Sequence, residues 1–180
     1  MTIDLKPGIA DPVALGAPFE GGFFAGISLQ DGRPYALVVA PKAEGEAVLK
    51  WKVRNTSTAG ARSVRDGVAN SEAMNNKNHP AAQFCRSRTI GGHDDWHLPS
   101  RHDAALMAEN LMPGAGYVPE QTMAEAFKVG APEALDRDAY WTSTEFSSGS
   151  AWLQTFSYGG QAYYVKSGSF RVRAVRKCPL

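Results

Sequence analysis

The chain has 180 residues, of which 43% are hydrophobic and 21% are charged, and these proportions are typical of one globular domain. Its formal net charge is only +1, whereas most nucleic-acid-binding proteins carry a clear excess of basic residues, so we expect no nucleic-acid partner. We also expect no membrane insertion and no signal peptide, because no apolar run approaches about 20 residues and no basic region precedes an apolar one near the start.

Residues 1–19 contain three prolines and little periodicity, which predicts an extended N-terminal arm before a domain at 20–180. Within the domain, residues 21–27 and 35–40 are rich in aromatic and aliphatic side chains and predict two strands. An Asp-Gly pair at 31–32 favours the tight turn of a β-hairpin between them.

A short strand is expected at 48–53, followed by two short helices. Ser63 and Asp66 have the spacing of a capping box, in which side chains bond to the first backbone N–H groups of a helix, although Gly67 weakens that helix. Pro80 suits the first position of the next helix, where its missing N–H costs nothing.

The clearest helix is predicted to begin after Ser100. Ser100 and Asp103 again match a capping box, and an apolar stripe follows before Pro113 stops the helix. The stripe consists of Ala104, Met107, Ala108 and Leu111. A further short helix could follow at 120–127.

From residue 139 onward, short runs of aromatic and β-branched residues alternate with Gly-Ser and Gly-Gly breaks. These runs lie at 140–146, 151–156, 161–165 and 170–176. We therefore expect an antiparallel meander that ends beside the first strands, which with the helices gives an α+β fold. Arg173 and Arg176 are expected to fix strand order by pairing with carboxylates such as Glu145 or Asp94.

Metal binding is not predicted. His93 and His97 are four residues apart, but the neighbouring glycines and proline argue against the helix that would bring their rings together. Asp94 and Asp95 could offer oxygen ligands to calcium. However, the chain contains neither Glu-Pro-Asn nor Gln-Pro-Asp, the calcium-and-sugar tripeptides of some lectins, so no cofactor is expected.

The two cysteines, Cys85 and Cys178, lack the Cys-x-x-Cys spacing of a zinc site. They could form one disulfide or remain thiols, and thiols are the default in a reducing cytosol. The chain has no Gly-x-Ser-x-Gly elbow and no phosphate-binding Gly-Lys-Ser/Thr, so we do not expect an enzyme.

Several segments occur together in an order that is more specific than any one of them. They are DGVAN at 66–70, GGHDDWHLPS at 91–100, YWTSTE at 140–145, Ala151-Trp152, and VRAVR at 172–176. On these segments, residues 20–178 resemble the Legionella collagen-like protein C-terminal domain family, which recurs in bacterial surface proteins and bacteriophage proteins. Phage members often begin with strands similar to 21–26 and 35–41.

The resemblance implies a C-type-lectin-like fold, with an antiparallel sheet, paired terminal strands, two or three flanking helices and long loops that present a ligand surface. Such folds commonly link a cysteine in a helix to one near the last strand. The resemblance therefore implies a Cys85–Cys178 disulfide as an alternative to two buried thiols.

The polar and aromatic residues between 143 and 166 are the predicted ligand surface, because tyrosine, serine and glycine together form good binding surfaces. The resemblance favours this interpretation over a plain hairpin surface. The candidates are Glu145, Ser147, Ser150, Gln154, Tyr158, Gln161, Tyr163, Tyr164 and Lys166. Trp141 and Trp152 are instead expected to fill the core.

The main functional hypothesis is a non-enzymatic module of a phage particle, on a tail fibre, tail tip or baseplate, that recognises a host surface glycan or protein. The N-terminal arm would attach it to other virion proteins, and a homo-oligomer, a trimer by our guess, is expected. One alternative is a structural capsid or tail decoration protein. Another is a diversified ligand-binding protein of a retroelement system.

Overall fold

The computed structural model describes residues 13–113 and 122–180, and its strands form two sheets with helices packed beside them. The strands are β1 (Pro18–Phe19), β2 (Gly22–Gln30), β3 (Arg33–Val39), β4 (Glu46–Lys50), β5 (Ala139–Glu145), β6 (Ser150–Thr155), β7 (Gln161–Val165), β8 (Ser169–Arg173) and β9 (Val175–Pro179). The helices are α1 (Lys42–Gly45), α2 (Gly67–Ala73), α3 (Pro80–Arg86) and α4 (Arg101–Leu111), followed by a 3₁₀ helix (Glu125–Phe127). The fold is α+β as predicted, but it has two sheets where one was expected.

The first sheet brings the two ends of the described chain together, in the strand order β1-β2-β3-β9. Its strands β2 and β3 form the predicted hairpin, in which Gln30 pairs with Arg33. The two residues between them have φ angles of 50° and 73°, which an Asp-Gly pair tolerates in a type I′ turn. β9 pairs antiparallel with β3, so the last strand lies beside the opening hairpin as expected.

The second sheet has the strand order β4-β8-β5-β6-β7. β5, β6 and β7 are successive antiparallel neighbours, as in the predicted meander. β8 does not continue the meander, because it lies between β4, to which it is antiparallel, and β5, which it meets in a parallel bridge. The second sheet is therefore mixed, and β7 forms one of its edges.

The run at 170–176, predicted as one strand, is divided between the two sheets at Ala174. The Ala174 N–H donates to the Gly45 carbonyl (2.8 Å), and the Ala174 carbonyl accepts from the Ala40 N–H (2.9 Å). Ala40 and Gly45 lie at the two ends of the other connection between the sheets. The prediction of a single strand is wrong because the apolar pattern continues through Ala174 while the backbone changes its partners.

Apolar side chains between the sheets and helices form two buried clusters. The larger cluster contains Trp51, Trp96 and Trp141, none of which has exposed surface. The smaller includes Phe127 and Phe156 together with side chains of α4. The expected burial of Trp141 is confirmed.

The helix starts follow local sequence signals. α4 begins at the predicted capping box, with the Ser100 hydroxyl accepting from the Asp103 N–H and the Asp103 carboxylate accepting from the Ser100 N–H. α3 begins at Pro80, also as predicted. α2 is capped by Asp66 and not by Ser63, whose hydroxyl instead accepts from the Asp66 N–H.

Residues 13–19, the described part of the predicted arm, pack onto the first sheet. β1 pairs with the start of β2, and the Gly16 N–H donates to the Phe24 carbonyl (2.8 Å). The folded unit therefore begins before the predicted boundary at residue 20, because these residues find backbone partners. Residues 1–12 lie outside the described residues.

Two further predictions concern the helix at 120–127 and the absence of a membrane-spanning helix. Of the helix predicted at 120–127, only the 3₁₀ helix at 125–127 is present, and residues 120 and 121 lie outside the described residues. Within residues 13–113 and 122–180, none of the helices has both the length and the apolar character needed to cross a membrane.

Candidate ligand-binding surface

Glu145 and Lys166 form a buried ion pair within the fold. Glu145 ends β5, Lys166 directly follows β7, and neither side chain has exposed surface. Lys166 Nζ donates to the Glu145 carboxylate and to the carbonyls of Thr56 (2.9 Å) and Ser148 (2.8 Å). Through these contacts the two charged groups hold two loops together. Neither residue therefore lies on the predicted ligand surface.

The protonation of this pair reflects opposing effects. Burial lowers the pKa of Lys166, and the neighbouring carboxylate offsets only part of that effect. Burial disfavours the charged form of Glu145 as well, but hydrogen bonds from Lys166 and Arg62 outweigh it and lower the pKa of Glu145. Glu145 therefore stays ionised at neutral pH as an internal acceptor.

Gln154 and Gln161 bind other parts of the chain. Gln154 is fully buried, and its Nε2 donates to the carbonyls of Gly159 (2.9 Å) and Gly160 (3.0 Å), which closes the turn between β6 and β7. Gln161 Oε1 accepts from Arg101 Nε (2.5 Å), and Gln161 Nε2 donates to the Arg101 carbonyl (2.9 Å). Gln154 is thus a structural residue, whereas Gln161 positions Arg101.

The other predicted residues lie near the surface in separate places. The Ser147 hydroxyl accepts from the Ser150 N–H (3.2 Å), so this pair shapes the turn between β5 and β6. Tyr158 lies in the next turn and is 55% exposed. Tyr164 is exposed on the face of β7 opposite to Tyr163, where its ring packs against β8.

Three aromatic rings and one arginine form an exposed cluster over β6 and β7, which we call the aromatic surface (Phe146, Trp152, Tyr163 and Arg101). The Phe146 and Tyr163 rings are stacked, with centroids 3.8 Å apart and planes 11° apart, and these residues are 42% and 54% exposed. Trp152 meets both rings edge-on, at 5.0 and 5.9 Å. The Arg101 guanidinium lies 3.7 Å from the centroid of the Trp152 ring, a cation–π contact.

The strand register and one turn assemble this surface. Trp152 on β6 is directly opposite Tyr163 on β7, at a position that does not exchange backbone hydrogen bonds and therefore brings the side chains close. The Phe146 N–H donates to the Ser150 carbonyl (3.0 Å), which folds the end of β5 back over the two strands. With Arg101 fixed between Trp152 and a glutamine, the surface is organised before any ligand binds.

An open cleft of about 270 Å³ adjoins the aromatic surface at Arg101. It is lined by Val64, Arg65, Arg101, His102, Ala105 and Gln161. Two guanidinium groups and no carboxylate line the cleft, so its potential favours an anionic group. Burial, followed by the charge of Arg65, lowers the pKa of His102, so the arginines carry the positive charge at neutral pH.

Three of the four residues of the aromatic surface were not predicted as site residues. Trp152 was assigned to the core, but it is only half-buried. Phe146 and Arg101 were not singled out, because the approach of Phe146 depends on the geometry of the turn between β5 and β6, and that of Arg101 on a helix that is distant in sequence. The alternation of β6 and β7 could have indicated that Trp152 and Tyr163 share a face only once their register was known.

The residues considered as metal ligands have other surroundings. His97 is buried with its Nδ1 3.2 Å from the Asp95 carbonyl, while His93 is half-exposed and Asp94 exposed. The Asp95 carboxylate is paired with Arg176. In the described ranges, no group of three or more His, Cys, Asp or Glu side chains could hold a metal ion.

The two arginines of the C-terminal run pair with carboxylates other than the predicted Glu145 and Asp94. Arg173, which is fully buried, contacts Glu46 (3.0 Å) and Glu133 (2.7 Å). Arg176 makes a two-point contact with Asp95, at 2.7 and 3.1 Å. Burial disfavours the charged form of Asp95, but this arginine outweighs it and lowers the pKa of Asp95.

Cys85 and Cys178 are buried thiols in the larger apolar cluster and are not joined by a disulfide. Cys85 lies on α3 and Cys178 on β9, the elements in which the implied bridge would lie. Burial raises the pKa of Cys85 to about 12, which suppresses its reactivity as a thiolate. Of the two alternatives left by the sequence, the structure has the thiols.

The fold and the aromatic surface thus define an α+β domain with a preorganised exposed site on its second sheet. The chain belongs to the Lcl C-terminal domain family, which matches residues 44–176. That match includes every residue of the aromatic surface and confirms the resemblance recognised in the sequence. No curated protein matches the chain.

Proposed function

We propose that this chain is a non-enzymatic binding module of a bacteriophage particle, part of a tail fibre, tail tip or baseplate, that recognises a host surface glycan. The observation that carries the proposal is the exposed Phe146–Tyr163 stack beside Trp152 and Arg101. Rings of this size are usually buried, so a cluster of them held at the surface favours a role in recognition.

The chemistry of the surface suits a sugar. Aromatic faces pack against the apolar faces of sugar rings, and the adjoining cleft adds hydrogen-bond donors from Arg65 and Arg101 for hydroxyl or acidic groups. Because Arg101 is already held by Gln161 and Trp152, binding needs little ordering of its long side chain. This preorganisation supports a binding role for the surface.

The proposal includes a C-type-lectin-like fold. Its support is the pairing of a terminal strand with the opening hairpin, the helices beside the sheets, and the family to which the chain belongs. The phage assignment rests on the likeness of the segments 21–26 and 35–41 to phage members of that family. Attachment to other virion proteins through the N-terminal segment, and assembly as a homo-oligomer, complete the proposal.

The test is binding of the purified full chain to susceptible host cells. We expect saturable binding that Phe146→Ala reduces at least tenfold, while Tyr158→Ala, which removes another exposed ring that lies outside the surface, leaves it unchanged. Enzymatic removal of cell-surface glycans should abolish binding, and protease treatment should not. The proposal fails if no susceptible cell binds the chain, or if both variants bind as the wild type does.

A further inference from the structure

The outer edge of β7 pairs with no strand among the described residues, since β7 is the last strand of the second sheet. Its backbone is hydrogen-bonded to β6 on one side, and on the other side the Val165 carbonyl accepts from the Gly168 N–H of the following turn (2.9 Å). The bonds at the two ends of this ladder are Thr155 N–H to the Gly160 carbonyl (2.9 Å) and Lys166 N–H to the Gly149 carbonyl (3.0 Å). The register between these two pairs is continuous.

This register determines which backbone groups remain available. In an antiparallel ladder, alternate residues direct both their N–H and their carbonyl to the same neighbour. Ala162 and Tyr164 therefore direct their backbone groups to β6. The residues that direct theirs away from the sheet are Gln161, Tyr163 and Val165. Because the Val165 carbonyl already accepts from Gly168, Val165 offers its N–H, while Gln161 and Tyr163 offer both backbone groups.

β7 has none of the sequence features that usually protect an edge strand from pairing with another strand. Exposed edges are commonly protected by charges, prolines, bulges or very short length. β7 has five residues, Gln-Ala-Tyr-Tyr-Val, with no charge, no proline and no shift of register. By contrast, the opposite edge strand β4 carries Glu46 and Lys50 at its ends, and β1 has only two residues.

We infer that β7 is a dimerisation edge, on which two copies of this chain pair their β7 strands antiparallel about a twofold axis at Tyr163. In this register the two Tyr163 residues exchange their main-chain hydrogen bonds, and Gln161 lies opposite Val165 of the other copy. A second copy fits because the strand is its own complement: uncharged residues face uncharged residues at every position. An external strand of unknown charge has no such support.

The pairing has a consequence for recognition. The twofold axis is perpendicular to the sheet, so both copies present their aromatic surfaces on the same side. Tyr163 of each copy would lie beside the other, so the two Phe146–Tyr163 stacks would be neighbours across the axis. Pairing occurs in the plane of the sheet and leaves the face of the aromatic surface open, so a polymeric ligand could bind to two sites at once.

The experiment is sedimentation of the full chain over a range of concentrations. We expect a reversible monomer–dimer equilibrium for the wild type. Tyr163→Lys and Tyr163→Glu should each be monomeric where the wild type is dimeric, because like charges would face each other across the axis. An equimolar mixture of the two variants should recover the dimer. Tyr158→Lys, a matched charge at an exposed tyrosine outside β7, should dimerise as the wild type does.

Thermal unfolding of each variant checks that it is folded, which the exposure of Tyr163 leads us to expect. A wild-type chain that is monomeric throughout overturns the inference, as does an oligomer that survives both charged variants. Phe146→Ala removes a ring that is not on β7, so it should still dimerise. Failure of ligand recognition and failure of dimerisation are therefore distinguishable.

Discussion

The side chains of Glu145 and Lys166 are hydrogen-bonded to each other and entirely removed from solvent. The ammonium group also lies 4.9 Å from the centroid of the Trp51 ring, and the carboxylate accepts from the Thr58 N–H (2.8 Å). The pair connects the ends of β5 and β7 to the loop that follows β4. Two residues whose charges suggest ligand contact thus stabilise the loops around the site.

The first prediction concerns this pair. Lys166→Met should lower the free energy of unfolding by about 3–5 kcal/mol, because it leaves the Glu145 carboxylate buried without its main partner. Lys50→Met, at an exposed lysine of β4, should change it by less than about 0.5 kcal/mol. Urea denaturation measures both. Equal effects of the two substitutions would show that Lys166 is not a buried partner.

His79 predicts a dependence of stability on pH. Its Nε2 is 3.0 Å from the Thr58 hydroxyl and its Nδ1 is 2.9 Å from Asn76 Oδ1. Burial, and then the charges of Lys52 and Lys166, lower the pKa of His79 to about 4. The folded protein therefore keeps His79 neutral over a pH range in which the unfolded chain binds a proton.

The resulting stability is fully present above about pH 6.5, the ordinary pKa of histidine, and is lost as the pH falls toward 4. The loss should reach up to about 3 kcal/mol, from about 1.4 kcal/mol per pH unit. His79→Gln should remove this part of the pH dependence, measured by urea denaturation at pH 7.5, 6, 5 and 4.5. If the free energy of unfolding changed with pH by the same amount in the wild type and in His79→Gln, the assigned role of His79 would be contradicted.

Short sequence motifs correctly predicted those elements that are stabilised by interactions between neighbouring residues. The hairpin was predicted because an Asp-Gly pair at 31–32 allows its turn, and α4 was predicted because Ser100 and Asp103 complete each other's hydrogen bonds. The division of 170–176 was not predictable in this way. It depends on Ala174 bonding to Ala40 and Gly45, more than 120 residues away in sequence.

In the candidate site, too, contacts that depend on distant parts of the chain could not be predicted from local sequence patterns. Tyr163 was predicted from its residue type, but its stacking on Phe146 depends on the turn between β5 and β6. Gln154 and Lys166 were also predicted, because polar side chains usually lie at the surface. Their burial depends on carbonyl groups supplied by loops, which the sequence pattern of a strand does not reveal.

We predict that lysine at position 173 stabilises the fold less than Arg173 does. Its guanidinium donates to the Ala40 carbonyl (2.7 Å) and reaches Glu46 and Glu133 at the same time. A lysine lacks this planar fork, so Arg173→Lys should lower the free energy of unfolding by about 2–4 kcal/mol. Arg171→Lys, at a partly exposed arginine that also contacts Glu46, should cost less than about 1 kcal/mol. Comparable losses in urea denaturation would contradict the assigned difference.

The two cysteines give a chemical prediction. Because both are buried thiols, a thiol-specific reagent at pH 8 should react slowly with the native chain and rapidly, at both positions, with the unfolded chain. Cys85→Ala should then leave one reactive group in the unfolded state. Absence of reactive thiols in unfolded protein prepared without a reductant would instead indicate the disulfide that the family resemblance implies.

The four tryptophans allow the aromatic surface to be observed directly. Trp51, Trp96 and Trp141 have no exposed surface, so a soluble quencher such as acrylamide should reach Trp152 far more readily than the others. Trp152→Phe should leave a fluorescence that acrylamide quenches only weakly. Ready quenching of that variant would show that one of the other rings is accessible.

The most direct test combines this signal with the proposed ligand. Glycans released from the surface of a susceptible host should protect the wild-type chain from acrylamide in a saturable manner. Phe146→Ala should weaken that protection at least tenfold, while Tyr158→Ala should not. Binding of the same glycans with no change in the quenching of Trp152, or no binding at any concentration, would contradict recognition by the aromatic surface.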